Sequence, residues 1–519
     1  MTASQLVPSG HIVAVALPMW GHTKSLCSFV VRIIKLRRTH VTLFTDVMNR
    51  EKVLEEVSSL FDGATGPENM QNLVRVVALP SDSVPYQFDL YKSAFVEAYR
   101  TLLSETSIAI APNSDSVYEP VPKPNLVIVD FFCYEILRGI RSISGTEVPV
   151  YAWQSGSATA VLYLCGPETF GGKGDLAEKF SKVTAEDANA QEKVIEMVFQ
   201  GSDQKLVVLP GLPPMYEHEH MPQIRAIPIS MDKAAAFLQY NHRFLVECDG
   251  VIHATSKLFE GDALGKWQEW YGSRAVLTVG PISPPASAEG IARERSKSAV
   301  GQEVEVFLNE SLDKFGPNSV VYISFGTVWW SSQPEKIWTF IDTLLELDIP
   351  FLMSHASHVA TVPEHVAIKV KASGLGYLSK WLPQQMILRH KACGWFVTHC
   401  GHNSVMESLS EGVPLICWPF DADQPTNAAN IVSVHGAGYE LFEVRTGQGL
   451  LPIHRLGDKV PIGTLDAVRQ EAVDVLTKAR GKDGEIKREK AQWFMEQFAK
   501  SWTEGGQAWI DMKKLVDGL

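Results

Sequence analysis

The most informative segment of the chain runs Trp381-Leu382-Pro383-Gln384 … Thr398-His399-Cys400-Gly401-His402-Asn403-Ser404-Val405-Met406-Glu407 … Asp423-Gln424. An apolar strand ends at Thr398, a glycine loop follows, and a helix is predicted to begin near Ser404. Backbone N–H groups at such a helix start bind anions, and the helix dipole helps them. Ser404 and Glu407 also fit a capping box, which needs no ligand. His399 and Asn403 are not needed for a cap, so the segment favours an anion site.

Other residues of this segment suit the remaining parts of a sugar nucleotide. Trp381 offers an indole to stack on a base, and the Glu407 carboxylate can hold ribose hydroxyls. The Asp423-Gln424 pair then follows at the place where a sugar is expected. Taken singly, Trp381 is more typical of a core and Asp423-Gln424 of a solvated turn. Their joint spacing is not easily explained by packing, and it predicts a nucleotide-sugar site.

On both sides of this segment, short apolar strands alternate with helical patterns. Continuous apolar strands between helices predict parallel sheets covered on both faces, and therefore doubly wound α/β domains. The predicted strands lie at 11–17, 41–44, 126–130, 148–153, 319–324, near 351, 394–398 and 414–418, with helices at 24–37 and 333–347. Two such domains would bind ligands in the cleft between them, at the carboxyl ends of the strands.

A change in composition divides the chain. A stretch rich in proline, serine and alanine begins at Pro281 and continues as a polar, charged stretch to about Gln302, which predicts an exposed linker. We therefore expect a first domain at 1–282, a linker at 283–304 and a second domain at 305–486. The last segment, 487–519, has helical spacing and is predicted to pack back across the first domain.

Composition excludes several classes of protein. The chain has 519 residues and a net charge of −12, which argues against broad binding to nucleic acid or anionic membranes. Seven scattered cysteines without a CxxC pair suit a reducing cytoplasm, and neither a signal peptide nor a membrane-spanning segment is predicted. The sequence His218-Glu219-His220 resembles a metal-binding motif. A loop with two histidines is more often solvated, so no metal is predicted.

The first domain offers a candidate general base. His22 lies in the Pro18-Met19-Trp20-Gly21-His22 turn after the first strand, and Asp130 ends the strand at 126–130. A histidine can deprotonate a hydroxyl near neutral pH, and a neighbouring carboxylate fixes its tautomer. A histidine at this place could also simply be a polar residue at a helix start.

The segment from Trp381 to Gln424 resembles the signature box of family 1 UDP-dependent glycosyltransferases, best known from plants. The matching positions are Trp381, Pro383, Gln384, His390, Gly394, Phe396, Thr398, His399, Cys400, Gly401, Asn403, Ser404, Glu407, Gly412, Val413, Pro414, Pro419, Asp423 and Gln424. Further landmarks occur in order at 210–214, 279–281, 319–326 and 504–506. The resemblance implies the GT-B fold, with two Rossmann-like domains facing across a cleft, and an inverting, metal-independent transfer.

The resemblance also assigns roles to residues. It implies that Trp381 stacks on uracil, that the Leu382 backbone reads the uracil edge, and that Gln384 and Glu407 bind the ribose. It implies that the diphosphate is held by His399, Asn403, Ser404 and Thr327, with Gly401 in the loop, and that the sugar is held by Asp423 and Gln424. His22 and Asp130 match the family's catalytic dyad. The UDP-sugar is then a co-substrate, and no further cofactor is expected.

Three departures from the plant pattern stand out. His402 replaces a tryptophan whose contact with the sugar is largely main-chain, Thr327 replaces a common serine, and Trp329-Trp330 is unusual. Together they suggest a non-plant member, such as a fungal one. Gln424 is typical of members that use UDP-glucose, so glucose is the expected sugar.

Several aromatic residues could line an apolar acceptor pocket in the cleft, namely Trp20, Tyr86, Phe88, Phe131, Phe132, Tyr151 and Trp153. They would suit a small apolar acceptor, such as a phenolic, flavonoid or terpenoid, although each of them, taken singly, is more typical of the core. Two alternatives to a monomeric glycosyltransferase are a non-catalytic UDP-sugar-binding protein and a nucleotide-binding oxidoreductase. The second lacks a GxGxxG motif after a strand.

Overall fold

A computed structural model describes residues 8, 10–61, 70–82, 88–184, 193, 205–224, 231–282 and 288–518. Within these residues, no helix combines the length and apolar character that a membrane crossing requires.

The first lobe is built on a seven-stranded parallel sheet. Its strands are β1 (His11–Val15), β2 (His40–Asp46), β3 (Val74–Leu79), β4 (Leu126–Asp130), β5 (Val150–Gln154), β6 (Gly250–His253) and β7 (Ala275–Thr278). They lie in the order β7-β6-β5-β4-β1-β2-β3. The strand order reverses direction between β1 and β4, and the loops that leave these two strands diverge to opposite faces. This switch point opens a crevice at the carboxyl ends of the strands.

The second lobe repeats the design with six parallel strands. They are β8 (Val320–Ser324), β9 (Phe351–Ser354), β10 (Gly376–Ser379), β11 (Cys393–Thr398), β12 (Leu415–Cys417) and β13 (Gly438–Glu440), in the order β10-β9-β8-β11-β12-β13. Here the switch point lies between β8 and β11. The loops after Ser324 and Thr398 therefore start side by side.

Each sheet is covered on both faces. Alternate residues of β1 belong to two separate apolar cores: Val13 and Val15 lie in one, and Ile12 and Ala14 lie in the other. This explains why the strands are continuously apolar in sequence. The prediction of two doubly wound α/β lobes is confirmed.

Helices pack around both sheets. They are α1 (Trp20–Leu36), α2 (Arg50–Phe61), α3 (Asp89–Leu103), α4 (Tyr134–Ser144), α5 (Ala158–Cys165), α6 (Leu176–Thr184), α7 (Met231–Leu238), α8 (Asn241–Glu247), α9 (Lys257–Tyr271), α10 (Ala288–Lys297), α11 (Gly301–Phe315), α12 (Glu335–Glu346), α13 (Glu364–Ser373), α14 (Gln384–Arg389), α15 (His402–Ser410), α16 (Gln424–Ala429), α17 (Leu465–Ala479), α18 (Lys482–Ser501) and α19 (Gln507–Asp517). Helix α1 begins four residues earlier than the pattern predicts, so His22 lies in its first turn.

The segment predicted as a linker contains helical structure. Residues 283–287 lie outside the described residues, α10 follows at 288–297, and α11 begins at 301. Glu294 of α10 accepts hydrogen bonds from the backbone N–H groups of Gln385 (3.4 Å) and Met386 (2.9 Å). These bonds cap the start of α14, so this part of the segment is packed against the second lobe.

The C-terminal segment is helical, as its spacing predicts, and it forms two helices, α18 and α19. Phe494 and Phe498 of α18 pack in a core of the second lobe, whereas Met512 and Leu515 of α19 pack under the first sheet. The Asp511 carboxylate of α19 accepts a hydrogen bond of 3.0 Å from the backbone N–H of Thr278. The end of the chain thus joins the two lobes.

The prediction that residues 218–220 form a solvated loop is wrong. Residues 217–220 form a buried 3₁₀ turn, and Glu219 is fully buried. Its carboxylate accepts from Arg455 Nε at 3.1 Å, and Arg455 also donates to Glu440 at 2.8 Å. Two buried carboxylates therefore share one arginine from the second lobe. This pairing explains why the acidic turn can be buried away from solvent.

Candidate active site

The two switch points face each other across a cleft of about 440 Å³. Residues that follow β1, β4 and β5 line one wall, and residues that follow β8, β11 and β12 line the other. The cleft therefore lies at the carboxyl ends of both sheets, as expected of doubly wound folds.

His22 and Asp130 meet on the first-lobe wall. His22 Nδ1 lies 2.7 Å from Asp130 Oδ2, and the Asp130 side chain is fully buried while that of His22 is 22% exposed. The carboxylate also accepts from the backbone N–H groups of Phe132 (3.2 Å) and Leu17 (3.4 Å). These bonds fix the orientation of the carboxylate beside His22.

The hydrogen bond to Asp130 determines the tautomer of His22. Because an ionised carboxylate only accepts, Nδ1 must carry a proton, which leaves Nε2 as the free acceptor. Burial lowers the pKa of His22, but the charge and hydrogen bond of Asp130, with a smaller effect of Asp423, outweigh it and raise the pKa above its usual value. The pair can therefore take up a proton at Nε2 and stabilise the resulting imidazolium.

The start of helix α15 forms part of the opposite wall. The helix begins at His402 with Gly401 as its N-cap, which has no side chain to cap it. Glu407 does not act as the partner in a capping box. Its carboxylate instead accepts from Gln384 Nε2 at 2.6 Å and from Lys24 Nζ at 2.7 Å. The capping alternative is therefore wrong, and the first N–H group of α15, that of His402, donates to Asp423 Oδ2 instead.

His399 is held between two glycines. A Cβ atom placed on Gly401 would lie 2.6 Å from His399 Nε2, and one placed on Gly326 would lie 3.0 Å from the same atom. Burial lowers the pKa of His399 to about 4, with a backbone hydrogen bond at Ser324 opposing it. The ring is neutral at pH 7, so it can offer an N–H donor to an anion but no charge.

Trp381 and Leu382 follow β10. The Trp381 side chain is 51% exposed, whereas Leu382 is buried in a second-lobe core. The Lys52 ammonium of the first lobe lies 5.5 Å from the centre of the Trp381 ring and 3.8 Å from the centre of the Trp20 ring. An exposed indole at a cleft edge is available to stack on a flat ligand.

Asp423, Gln424 and His402 all line the cleft. Asp423 Oδ2 accepts from the backbone N–H of His402 at 3.0 Å and from Asn427 Nδ2 at 3.0 Å. The side-chain oxygen of Gln424 accepts from the backbone N–H groups of Phe420 and Asp421, at 2.8 and 3.2 Å. Gln424 therefore has only its amide N–H₂ left to offer a ligand.

The remaining predicted donor-site residues, Thr327, Asn403 and Ser404, also line the cleft. Thr327 follows Gly326 after β8, and Asn403 and Ser404 lie in the first turn of α15. Asn403 Nδ2 donates across the cleft to the backbone oxygen of Gly21 at 2.9 Å. The structure thus brings every predicted donor-site residue to one wall.

The predicted acceptor residues divide into two groups. Phe131, Phe132 and Trp20 line the cleft, and the Phe132 ring lies 5.5 Å from that of His22. Trp153 does not line it: its side chain is fully buried and packs 4.9 Å from Phe29 in the core on one face of the first sheet. The side chains of β5 alternate between the two faces, and Trp153 falls on the α1 face.

The outcome for the other three aromatic residues differs. Phe88 packs at the edge of the first core, with its ring 6.5 Å from that of Phe237. Tyr151 packs against the second core and is not part of the cleft wall. Tyr86 lies outside the described residues.

Three features of the site were missed from the sequence. Phe237 of α7 stacks on Phe132 with ring centres 4.7 Å apart. Helix α5 lines the cleft with Ala160, Val161 and Leu164, and Lys24 lines it beside Glu407. A predicted helix two residues beyond His22 could have signalled Lys24, whereas nothing local places α7 or α5 at the cleft.

Among the described residues, no group of three or more histidine, cysteine, aspartate and glutamate side chains is arranged to hold a metal ion.

Comparison with known proteins gives consistent matches. The family model described as "UDP-glucoronosyl and UDP-glucosyl transferase" matches residues 279–451. The "UDP-glycosyltransferase eriJ" of Hericium erinaceus is 28% identical over 514 residues, covering 96% of this chain and 95% of that protein.

Solved structures are similar over the whole chain. A ugt transferase from Siraitia grosvenorii in complex with UDP aligns with a TM-score of 0.69 at 21% identity, covering 98% of this chain and 99% of that one. UGT2 of Phytolacca americana, complexed with UDP-2fluoro-glucose and pterostilbene, aligns with a TM-score of 0.66 at 19% identity, covering 99% and 100%.

The two facing parallel sheets and their shared cleft have the GT-B fold. Within that fold, the family model over residues 279–451 and the similarity to a relative along nearly the whole chain identify the activity. The chain is a UDP-glycosyltransferase, an enzyme that transfers a sugar from a UDP-sugar.

Proposed function

We propose that this enzyme transfers a neutral hexose, with glucose as the first candidate, from its UDP-sugar to a hydroxyl of a small apolar acceptor. The transfer inverts the anomeric centre and gives a β-glycoside. The observation that carries this proposal is the His22–Asp130 pair, 2.7 Å apart, on the cleft wall that faces the predicted donor residues.

In the proposed reaction, His22 Nε2 accepts the proton of the acceptor hydroxyl. The hydroxyl oxygen forms a bond to the anomeric carbon from the face opposite the diphosphate. The bond from that carbon to the diphosphate oxygen breaks, and UDP leaves with the electron pair. Asp130 stabilises the imidazolium that results.

The second lobe supplies donors for the charge that develops on UDP. Asn403 and Ser404 at the start of α15, whose backbone N–H groups can donate, line the cleft together with the neutral His399 ring and Thr327. Fixed dipoles of this kind stabilise a leaving oxyanion without reorganising during the reaction. We assign Trp381 and the Leu382 backbone to uracil and the Gln384–Glu407 pair to ribose.

The charge around the sugar end of the cleft favours a neutral sugar. Asp423 lies there, and its acceptor oxygens suit sugar hydroxyls, as the remaining N–H₂ of Gln424 does. Of the described residues that line the cleft, Lys24 alone is a lysine or arginine, and it is bound to Glu407. A sugar with its own carboxylate would be repelled by Asp423, so glucuronate is disfavoured.

The acceptor side of the cleft is apolar. Phe131 and Phe132 lie beside His22, and Val161 and Leu164 of α5 face the same space. A flat phenolic, flavonoid or terpenoid alcohol would bury its ring here and place one hydroxyl at His22. We propose this acceptor class for the enzyme. We also propose a division of the chain at 282, 304 and 486, and a cytoplasmic location.

A non-catalytic UDP-sugar-binding protein is the alternative. Such a protein has no need for a histidine whose free nitrogen faces the acceptor space, or for a buried carboxylate that fixes its tautomer. The His22–Asp130 geometry therefore favours catalysis.

The test is to incubate the protein with UDP-glucose and a panel of phenols, flavonols, terpenoid alcohols and pterostilbene. A product about 162 Da heavier than the acceptor supports hexose transfer. UDP-galactose, UDP-xylose and UDP-glucuronate serve as matched donors, and NMR of the product reports the anomeric configuration. Binding of UDP without any adduct would contradict the proposal, and an α-glycoside would contradict the mechanism.

A further inference from the structure

The charge of the donor cleft poses a problem for an anionic ligand. Three carboxylates, Glu294, Glu407 and Asp423, line it, and Lys24 is the single lysine or arginine among the described lining residues. The chain as a whole carries a net charge of −12. A nucleoside diphosphate entering this cleft needs local positive charge to offset the repulsion.

Lys24 is the residue placed to provide that charge. Its ammonium lies 2.7 Å from Glu407 Oε1, and the exposed fractions of the two side chains are 25% and 7%. Burial lowers the pKa of Lys24, but the charges of Glu407 and Glu56 outweigh burial and raise the pKa above its usual value. Lys24 is therefore a cation throughout the physiological pH range.

The contact with Lys24 leaves Glu407 able to bind a ligand. A carboxylate has about four acceptor sites, and Gln384 and Lys24 each use one. The remaining sites can accept ribose hydroxyls, while the ammonium, with three donors, keeps two for other acceptors. Lysine, carboxylate and nucleotide can thus be bound together.

The same contact holds the turn that carries His22. Lys24 and His22 both lie in the first turns of α1. On one side of His22, the Gly21 oxygen accepts from Asn403 Nδ2 at 2.9 Å, and on the other side Lys24 binds Glu407. Asn403 and Glu407 of the second lobe therefore both bond the turn of the first lobe that carries His22.

We propose that Lys24 is a donor-binding and positioning residue contributed by the first lobe. Its ammonium is shared between the Glu407 carboxylate and the nucleotide of the bound UDP-sugar, and this bridge fixes the His22 turn against the donor. The inference rests on the proposed function, because it takes Glu407 as the ribose carboxylate and His22 as the base.

The first experiment measures UDP binding by calorimetry in the absence of acceptor, so it does not depend on turnover. We expect Lys24→Met to raise the Kd for UDP about tenfold and Lys24→Arg to stay within about threefold of the wild type. We also expect the wild-type affinity to fall more steeply with added salt than that of Lys24→Met. Lys35→Met, on the same helix, is the matched control, since Lys35 is not among the cleft-lining residues and donates to the backbone oxygen of Leu60.

The second experiment measures kcat with saturating UDP-sugar. Positioning by Lys24 predicts that kcat of Lys24→Met stays about tenfold low even when the donor is saturating, and that Lys24→Arg restores it. Thermal unfolding of each variant with and without UDP separates a folding defect from a binding defect.

The outcomes separate the two proposals. An unchanged or tighter UDP Kd in Lys24→Met would overturn the donor-binding role, and full recovery of kcat at saturating donor would overturn the positioning role. If the wild type bound UDP in a Lys24-dependent manner but transferred no sugar to any acceptor, the proposed reaction would fail while the donor-binding role stood.

Discussion

Replacing Asp130 with asparagine removes one negative charge and one acceptor oxygen with almost no change in volume. In the wild type, Oδ2 accepts from His22 Nδ1 and Leu17 N–H, and Oδ1 accepts from Phe132 N–H. An amide has one acceptor oxygen and one N–H₂ group, so it cannot satisfy all three donors. The asparagine amide therefore has two possible orientations. Its N–H₂ group faces either the backbone N–H of Phe132 or Nδ1 of His22, and in the second case His22 must adopt the opposite tautomer.

Both orientations impair the base. With the amide nitrogen toward His22, the proton moves to Nε2, and the nitrogen that faces the acceptor loses its lone pair. With the oxygen toward His22 the tautomer survives, but the imidazolium loses a full counter-charge at 2.7 Å. General-base catalysis and imidazolium stabilisation together are worth about 10²–10⁴ in rate, or roughly 3–5 kcal/mol, so we expect kcat to fall about a thousandfold.

The pH dependence gives the same change a second signature. His22 acts in its neutral form, and its pKa is raised, so wild-type kcat/KM should fall as the pH drops through a value above the ordinary 6.5. In Asp130→Asn, burial, the largest influence on this pKa, is opposed only by Asp423. The acid limb should therefore move to lower pH while the plateau falls. Initial rates of product formation, followed by chromatography between about pH 5 and 9, measure both effects.

A kcat for Asp130→Asn within about threefold of the wild type, with an unmoved acid limb, would refute the assignment of the base. Asp46→Asn is the matched control. Asp46 ends β2 at the same edge of the sheet, is also buried, and accepts from Asn49 and Ser81, away from His22. It should lower stability and leave the pH profile in place.

Three further changes test other parts of the structure. Trp381→Ala should raise the Kd for UDP about 10- to 100-fold in calorimetry, because base stacking on an aromatic ring contributes about 1–3 kcal/mol. Its half-exposed side chain predicts little change in Tm. Gly401→Ala should weaken UDP binding about tenfold, because its Cβ would meet His399 at 2.6 Å and displace the ring. Arg455→Met should lower the free energy of unfolding by about 3–5 kcal/mol, because it leaves Glu219 and Glu440 buried with one partner fewer.

Each of these changes has a matched control. Trp493→Ala removes another half-exposed tryptophan, 46% exposed, far from the cleft, and Gly265→Ala adds a Cβ in open space on α9. Arg469→Met breaks an exposed ion pair with Glu346, which should change stability by less than about 1 kcal/mol. A control that matched its test variant in effect would contradict the corresponding explanation.

The fold could be predicted because its signal is local. Strands buried on both faces are apolar along most of their length, as β1 is after His11 and β4 is before Asp130, and such strands are visible in sequence. The chemistry could be placed for the same reason. A polar residue that ends such a strand, as Asp130 does, or directly follows one, as His399 does, must lie at the carboxyl edge of a sheet.

The parts that failed depend on which face or which partner a side chain meets. Trp153 is one residue from the carboxyl end of β5. Because side chains alternate between the two faces of the sheet, that of Trp153 lies in the core on the α1 face. Ser404 and Glu407 have the spacing of a capping box, but a lysine 383 positions away in the chain takes the carboxylate. Phe237 comes from a helix whose position relative to Phe132 no local pattern reveals.

We expect the second-lobe wall of the cleft to bind the diphosphate with dipoles rather than charges, and this has a consequence for turnover. His399 is neutral, the start of α15 offers backbone N–H groups, and the one lysine in the cleft is held by a carboxylate. A cluster of free cations would bind UDP most tightly after transfer, when its charge is greatest, and would slow its release. Neutral donors, aimed at the leaving oxygen, stabilise the charge as it develops and add less to the affinity for the product. A modest dependence of UDP affinity on salt, carried mainly by Lys24, is what this arrangement predicts, and a steep one would point to cations outside the cleft.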